Sequence, residues 1–402
     1  MKLSSAIAAA DPDHVLELAL EIQAVAAPTL SEAKRAEVVL GLFEQATAAG
    51  GGVGIELLET RCESQAHGPI SNVIVTVPGA SATAPVVLSA HTDTVFGAEA
   101  DLASRRDTYA GRVYGPGLGD NSVAVAALVV VLEAIVATGW QPPVPLLLVA
   151  NAAEEGLGDL LGIRTLLPEL ERRYHSLPAA AIVLEGLALG NVYNAGIGVK
   201  RYRLDAQTDG GHSWADHGRA SAVHEIVRVL APLIDLTPPA LPRTTFTIGT
   251  IRGGTSVNTI AAAASAEIDV RSTTEEGLAA FDRELRAALG FADQDRIRTE
   301  RAAFSLTQIG RRPAGSISEE HWLVGCAKSA LVRVGLEPQI RAGSTDANAF
   351  FAAGVPAVCV GLTNGANAHR LDEYIEMDPL GIGLRQVGYL LETVTKRIAE
   401  LP

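Results

Sequence analysis

Four short stretches place acids or a histidine directly after apolar runs. "VVLSAHTDTV" ends in His91 and Asp93, and "GPGLGDNSVAV" holds Asp120. "ANAAEEGLGD" carries Glu154 and Glu155, and "AIVLEGLALG" presents Glu185. Late in the chain "GANAHRLDEY" adds His369. Carboxylate oxygens and imidazole nitrogens are ligands for divalent cations of hard or borderline character. In extended chain His91 and Asp93 share one face. His91 can then bind a cation while Asp93 accepts its other ring N–H. Each residue alone has a plainer reading. A histidine near a strand end is usually core or surface, adjacent glutamates usually open a solvated helix, and Asp120 can be a helix N-cap. The set carries the inference, because its members recur at strand ends, where α/β sheets assemble sites. Two histidines and three carboxylates suit a pair of divalent ions sharing one bridging carboxylate. His14, His67, His175, His217, His224 and His321 lack that setting and read as structural or surface residues.

The elements that must hold these residues follow from periodicity. "DHVLELALEIQAVA" and "EAKRAEVVLGLFEQATAAG" have helical spacing, the second ending in a glycine cluster. "GIELLE", "SNVIVTVPG", "APVVLSA", "PVPLLLVANA" and "AAAIVLEG" read as short strands, and "NSVAVAALVVVLEAIVATG" as a mostly buried helix. That alternation predicts an α/β sheet with helices on its faces, without deciding parallel from antiparallel pairing. Near Gly198 the rhythm changes to β-α-β-β-α-β, ending in "IRTERAAFSL", which is the ferredoxin-like split unit. After "IGRRPAGS" the α/β rhythm returns. The reading is a large α/β domain formed by residues 1–197 and 310–402, interrupted by an inserted lid at 198–309.

Bulk composition narrows the partners. The chain has 402 residues, 48% hydrophobic and 19% charged, the balance of a well-buried globular protein of two domains. A formal net charge of −14 disfavours nucleic acid and anionic membrane, and tolerates a cation site. Cys62, Cys326 and Cys359 form no C-x-x-C pair, which favours a reducing compartment. "AIAAA" near the start fits a signal peptide poorly, with Asp11 and Asp13 close behind, and no uninterrupted apolar run suggests a membrane span. The expected location is the bacterial cytoplasm.

"SAHTDTV", "GPGLGDNS", "AAEEGLGD", "VLEG", "DGGHSW", "TSVNTIAAAASAEIDVRS", "GSTDAN" and "ANAHRLDE" occur in an order that resembles one family. It is the dinuclear-zinc metallopeptidase family of acetylornithine deacetylase, succinyl-diaminopimelate desuccinylase, aminoacylase and glutamate carboxypeptidase. The resemblance runs from about Glu32 to Met377. It implies a zinc-exopeptidase-like mixed-sheet catalytic domain with an inserted ferredoxin-like lid and dimerisation domain. It implies two divalent ions, zinc with manganese or cobalt as alternatives. His91 and Glu185 would ligate one, Glu155 and His369 the other, and Asp120 would bridge them through a loop with a cis Asp120–Asn121 peptide. Asp93 would orient His91, and Glu154 would be the general base for the metal-bridging water. His212 resembles the lid histidine that stabilises the oxyanion, often given by the partner of a homodimer. Asn258 and Arg271 resemble a pair that grips the substrate, frequently at a carboxylate; the plainer reading of Arg271 is a structural ion pair. Gly343 and Ser344 would line the pocket, with Asp346 structural.

Three positions depart from the family pattern: "DNSVAV" after Asp120, "NTIAAA" without the usual proline, and Trp214 after "HS". None touches an expected ligand, but Trp214 stands where it can reshape the pocket. The implied reaction is hydrolysis of an amide bond in a small molecule or short peptide. Glu at position 185 favours an N-acyl amino acid or a C-terminal peptide bond, since aminopeptidase and dipeptidase relatives tend to carry Asp there. Aminopeptidase or di- and tripeptidase action, hydrolysis of a non-peptide aromatic amine, and a catalytically dead metal-binding protein are the rival readings.

Overall fold

The computed structural model describes residues 2–48, 54–60 and 69–401. Cys62, His67 and the glycine cluster expected to end the second helix lie outside the described residues. The chain divides into two compact units, one formed by Met1–Ala195 with Ser316–Pro402, the other by Gly196–Gly315. The expected boundaries at 198 and 309 fall inside the second unit. The strand that closes it continues to Arg312.

The first unit is built on a mixed sheet of nine strands among the described residues. Its centre is parallel: Val86–His91 lies between Leu146–Asn151 and Ala180–Glu185, and the last also pairs with Ala357–Gly361. Ile70–Val77 and Gly54–Thr60 continue one side antiparallel, and Asn191–Gly196 adds antiparallel on the other. Both pairing senses therefore occur, a choice that short apolar runs left open.

Period-two alternation sorts the side chains of these strands into two cores. Leu146, Leu148 and Ala150 join Val86, Leu88, Ile182 and Leu184 under the long helices Pro12–Gln23, Val123–Thr138 and Leu380–Ala399. Leu147 and Val149 join Val87, Val183 and Phe350 under Leu161–Tyr174 and Ala347–Ala352. A sheet covered on both faces needs strands that are apolar throughout, which is why Leu146–Asn151 is buried along its whole length. The segment 118–138 is long and apolar enough to cross a membrane, yet most of it is buried inside the protein. The short "AIAAA" patch begins in a helix, Leu3–Ala8, and runs past its end; Ser4 of that helix donates to Glu392 through both its N–H and its hydroxyl.

The second unit is an antiparallel sheet in the order 244–253, 263–272, 198–207, 303–312, 296–298, with helices Ala222–Leu230 and Glu275–Ala288. That is the ferredoxin-like order with one extra edge strand. The expected single strand "IRTERAAFSL" is instead a hairpin, Arg296–Arg298 and Ala303–Arg312, closed by the Thr299 N–H on the Ala302 carbonyl. The helix Ala222–Leu230 stops there and tightens to a 3₁₀ turn at Ala231–Asp235, because Pro232 has no N–H to continue it.

Candidate functional site

The ends of the parallel strands lie in register. His91 is paired with Asn151, and Glu185 with Gly361. His91, Asp120, Glu154, Glu155, Glu185 and His369 gather at this edge of the first unit. They form three groups whose ligand atoms lie within 4.8 Å of one another: His91 with Asp120 and Glu185, His91 with Glu154 and Glu155, and Asp120 with Glu155 and His369.

The buried side chain of His91 is fixed first. Its Nδ1 is 3.1 Å from the Asp93 backbone carbonyl, which can only accept, so Nδ1 carries the proton. Nε2 then faces Asp120 Oδ1 at 3.1 Å and Glu185 Oε2 at 3.7 Å, and is the nitrogen left for a cation once it gives up its proton. Asp93 was expected to hold His91 through its carboxylate. That carboxylate lies at 3.5 Å from Nδ1 and is occupied mainly elsewhere. It accepts the N–H groups of Glu154 and Glu155, each at 2.9 Å, and the Thr29 hydroxyl at 2.9 Å.

Asp120 sits in the loop that opens the helix Val123–Thr138, and its peptide to Asn121 is cis. Its two oxygens face two imidazoles, Oδ1 toward His91 and Oδ2 toward His369 Nε2 at 3.0 Å. Asn121 ties the loop to the Glu185 strand. Its Nδ2 donates to the Leu184 carbonyl at 2.9 Å and its Oδ1 accepts the Gly186 N–H at 2.8 Å. Gly186 has to be glycine for this approach, since a Cβ there would lie 2.0 Å from the Gly119 carbonyl. Half-exposed His369 also meets Glu155 Oε1 at 2.9 Å.

The electrostatics follow from crowding. Burial alone would push the His91 imidazole down, but Asp120, Asp93 and Glu185 raise it well above its ordinary value. Asp120 and Glu155 raise His369 to about 10. Burial, with Asp120 and Glu155 nearby, pushes Glu185 up. Burial works against the charge on Asp120, and His369 and His91 outweigh it and pull the carboxyl down. No Lys or Arg pairs with Asp120, Glu155 or Glu185 among the described residues. Protons on the imidazoles are what oppose this negative charge, and divalent cations are the natural replacement. The donor set of imidazole nitrogen and carboxylate oxygen, with the outer nitrogen of His91 already fixed, fits such ions.

Sequence reasoning missed the residues that hold these loops. Glu32 accepts the Ala153 N–H at 2.8 Å. Arg35 is fully buried and donates to the carbonyls of Val25, Thr92 and Gln23. Both belong to the start of the helix Ala33–Thr47, and their only sequence signal is charge within an amphipathic pattern. Asn151 donates to buried Asp346 at 2.7 Å, and burial pushes Asp346 up to about 7. Gly343 faces the ring of Tyr193, where a Cβ would lie 2.9 Å from Cδ1, and Ser344 follows it half-buried. Arg341, two residues earlier, ion-pairs with no carboxylate among the described residues.

The remaining expected residues belong to the second unit. Exposed His212 lies on a two-residue strand opposite Thr259, and the Ser213 N–H donates to the Asn258 carbonyl at 3.1 Å. His212 Nδ1 accepts the N–H groups of Trp214 and Ala215, each at 3.2 Å. Its neutral ring therefore carries the proton on Nε2. Trp214 beside it is 87% exposed. Arg271 is on another strand, its Nε donating to Asp269 at 2.7 Å, which is the ion pair of the plainer reading.

The sequence matches Peptidase family M20/M25/M40 over residues 87–393. A succinyl-diaminopimelate desuccinylase of Parvibaculum lavamentivorans is 28% identical over 326 residues, covering 76% of this chain and 78% of that protein. Among solved structures, the di-peptidase Dug1p of Saccharomyces cerevisiae superposes with a TM-score of 0.77 at 15% identity, over 98% of each chain. A tripeptidase of Staphylococcus aureus gives 0.73 at 18%, over 96% of this chain and 99% of its own. The fold, the clustered ligand groups and the matched span agree: the chain belongs to the M20/M25/M40 peptidase family and is an amide-hydrolysing enzyme of the metallopeptidase type.

Proposed function

We propose that the enzyme removes the acyl group from an N-acyl amino acid, using two divalent metal ions, with zinc the first choice. The observation that carries this reading is the pair of overlapping ligand groups, His91–Asp120–Glu185 and Asp120–Glu155–His369, which share Asp120. The likeness to succinyl-diaminopimelate desuccinylases supports deacylation over cleavage of free-amine peptides. When bound, the ions supply an acidic water near neutral pH and polarise the scissile carbonyl.

The chain's own groups do the rest. Glu154, held by its N–H on Asp93, is the general base; it takes a proton on its carboxylate and returns it to the leaving nitrogen. His212 donates from Nε2 to the oxyanion. Asn258 and Arg271 bind the substrate carboxylate, and a freed Arg271 fork suits that shape. Arg341, beside Gly343 and Ser344, is a second cation for the same task. The second unit serves as lid and as the surface of a homodimer. Its strand Thr244–Gly253 is an edge with one side unpaired among the described residues, free of charge until Arg252, and such edges invite pairing. Free thiols at Cys326 and Cys359 support a cytoplasmic enzyme.

The test is a hydrolysis screen of metal-reconstituted protein on N-acyl amino acids, free-amine di- and tripeptides, and aromatic amines. Highest kcat/KM on N-acyl amino acids is the expected result. A clear preference for free-amine peptides would replace this reading with an aminopeptidase one.

A further inference from the structure

A second buried carboxylate at the site, besides Asp93, belongs to none of the ligand groups. Glu373 follows His369 by four residues and is fully buried. Its Oε1 accepts the N–H groups of Gly119 at 2.7 Å and Asp120 at 2.9 Å, and its Oε2 accepts that of Gly117 at 3.1 Å. Its backbone carbonyl accepts the Gly115 N–H at 2.9 Å. No Lys or Arg ion-pairs with it among the described residues. Convergent backbone N–H groups in a turned loop are a natural seat for an anion. The loop can present them because Gly117 takes φ +71°.

The chain from Asn367 to Glu373 is also tied to itself. Asn367 donates to the Asp372 carbonyl and carboxylate at 3.3 and 3.1 Å, and Arg370 Nε donates to Asp372 at 2.8 Å. Asp120 therefore has two tethers of different direction. Asn121 binds its loop to the strand end that carries Glu185. Glu373 binds the same loop to the strap that carries His369, although Asp120 and Glu373 are 253 positions apart. Cutting the second tether leaves Asp120 aligned with His91 and Glu185 but frees it from His369.

We propose that Glu373 is a positioning residue for the cation position formed by Asp120, Glu155 and His369, and that it sets the affinity of that position and not of the His91–Asp120–Glu185 position. The proposal rests on the two-ion reading above. Replacing Glu373 by Gln places an amide N–H where a backbone N–H already points, so one of the three bonds becomes a repulsion.

The experiment is titration of the metal-free full chain with Zn²⁺ by calorimetry, and with Mn²⁺ by electron paramagnetic resonance, which reads a spin-coupled pair only when both positions fill. The wild-type protein takes up two equivalents. In Glu373→Gln the second equivalent binds about 10–100-fold more weakly, the usual cost of losing an outer-shell partner, while the first holds within about threefold. The coupled manganese signal disappears at two equivalents and returns with excess metal. Glu373→Asp, which keeps the charge on a shorter arm, shows a smaller loss and is read in the same way if the Gln variant does not fold. Equal weakening of both equivalents, or none in either variant, overturns the role given to Glu373. Uptake of a single equivalent by the wild-type protein would overturn the two-ion reading itself, and this proposal with it.

Discussion

The N–H of Glu154 donates to Oδ1 of Asp93 at 2.9 Å, so the proposed base is held by the same carboxylate that neighbours His91. Asp93 also takes the Glu155 N–H, and thereby joins the turn after one strand to the turn after the next. In Asp93→Asn one acceptor oxygen becomes a donor facing these N–H groups. Metal affinity is expected to fall about 10–100-fold, and kcat to fall with metal in excess while KM changes little. A variant whose only defect is a higher KM would speak against this arrangement.

Glu154→Ala is expected to lower kcat by about 10²–10⁴-fold, the usual range for a general base, with both metals retained. Metal analysis of the purified variant decides the matter. Loss of an equivalent would make Glu154 a ligand.

His369→Ala removes the imidazole between Asp120 and Glu155. One metal equivalent should weaken while the other stays. Unchanged stoichiometry at limiting metal would remove His369 from the ligand set.

Arg271→Ala should raise KM most for substrates with a free carboxylate. If carboxyl-blocked substrates lose as much, the Asp269 ion pair is the reason for the arginine, and Arg341→Ala becomes the informative variant.

Burial raises Glu32 from 4.5 to about 7, with the Asp93 charge adding to it. A raised carboxyl holds its proton more tightly in the folded state. Its favourable contribution is full below pH 4.5, is lost as pH climbs to about 7, and is absent above. Glu32→Gln has no such slope. At pH 8 the metal-free variant should be more stable than wild type, by on the order of 2–3 kcal/mol relative to their difference at pH 4.5. Denaturation at both pH values tests this; a difference independent of pH would mean that Glu32 is not held neutral.

The cluster was legible where chemistry coincides with strand ends. His91, Glu154, Glu155 and Glu185 each follow an apolar run whose burial in a two-faced sheet forces the next polar residue to the sheet edge. Asp120, in a glycine-rich loop, and His369, in a late loop, joined the same candidate set, and the family resemblance gave every member its role. Glu32, Arg35 and Glu373 stayed hidden because their partners are backbone groups, which leave no mark in the sequence. The Asp93 carboxylate shows the same limit: a side-chain partner was foreseen, and the peptides of Glu154 and Glu155 were not. The hairpin at 296–312 and the stop at Leu230 are local effects of turn residues within a correctly read rhythm.

Asn194 and Ile317 are joined by two hydrogen bonds, the Ile317 N–H on the Asn194 carbonyl at 3.0 Å and the Asn194 Nδ2 on the Ile317 carbonyl at 2.7 Å. They flank the point where the chain leaves the first unit and the point where it returns. The loop-closure entropy of the whole insertion is thus met by a clasp that the first unit makes with itself. Insertions with adjoining ends tolerate changes of length and content, and the clustered His91, Asp120, Glu155, Glu185 and His369 all lie outside this one. Change within 196–315 therefore leaves the placement of these five residues to the first unit alone.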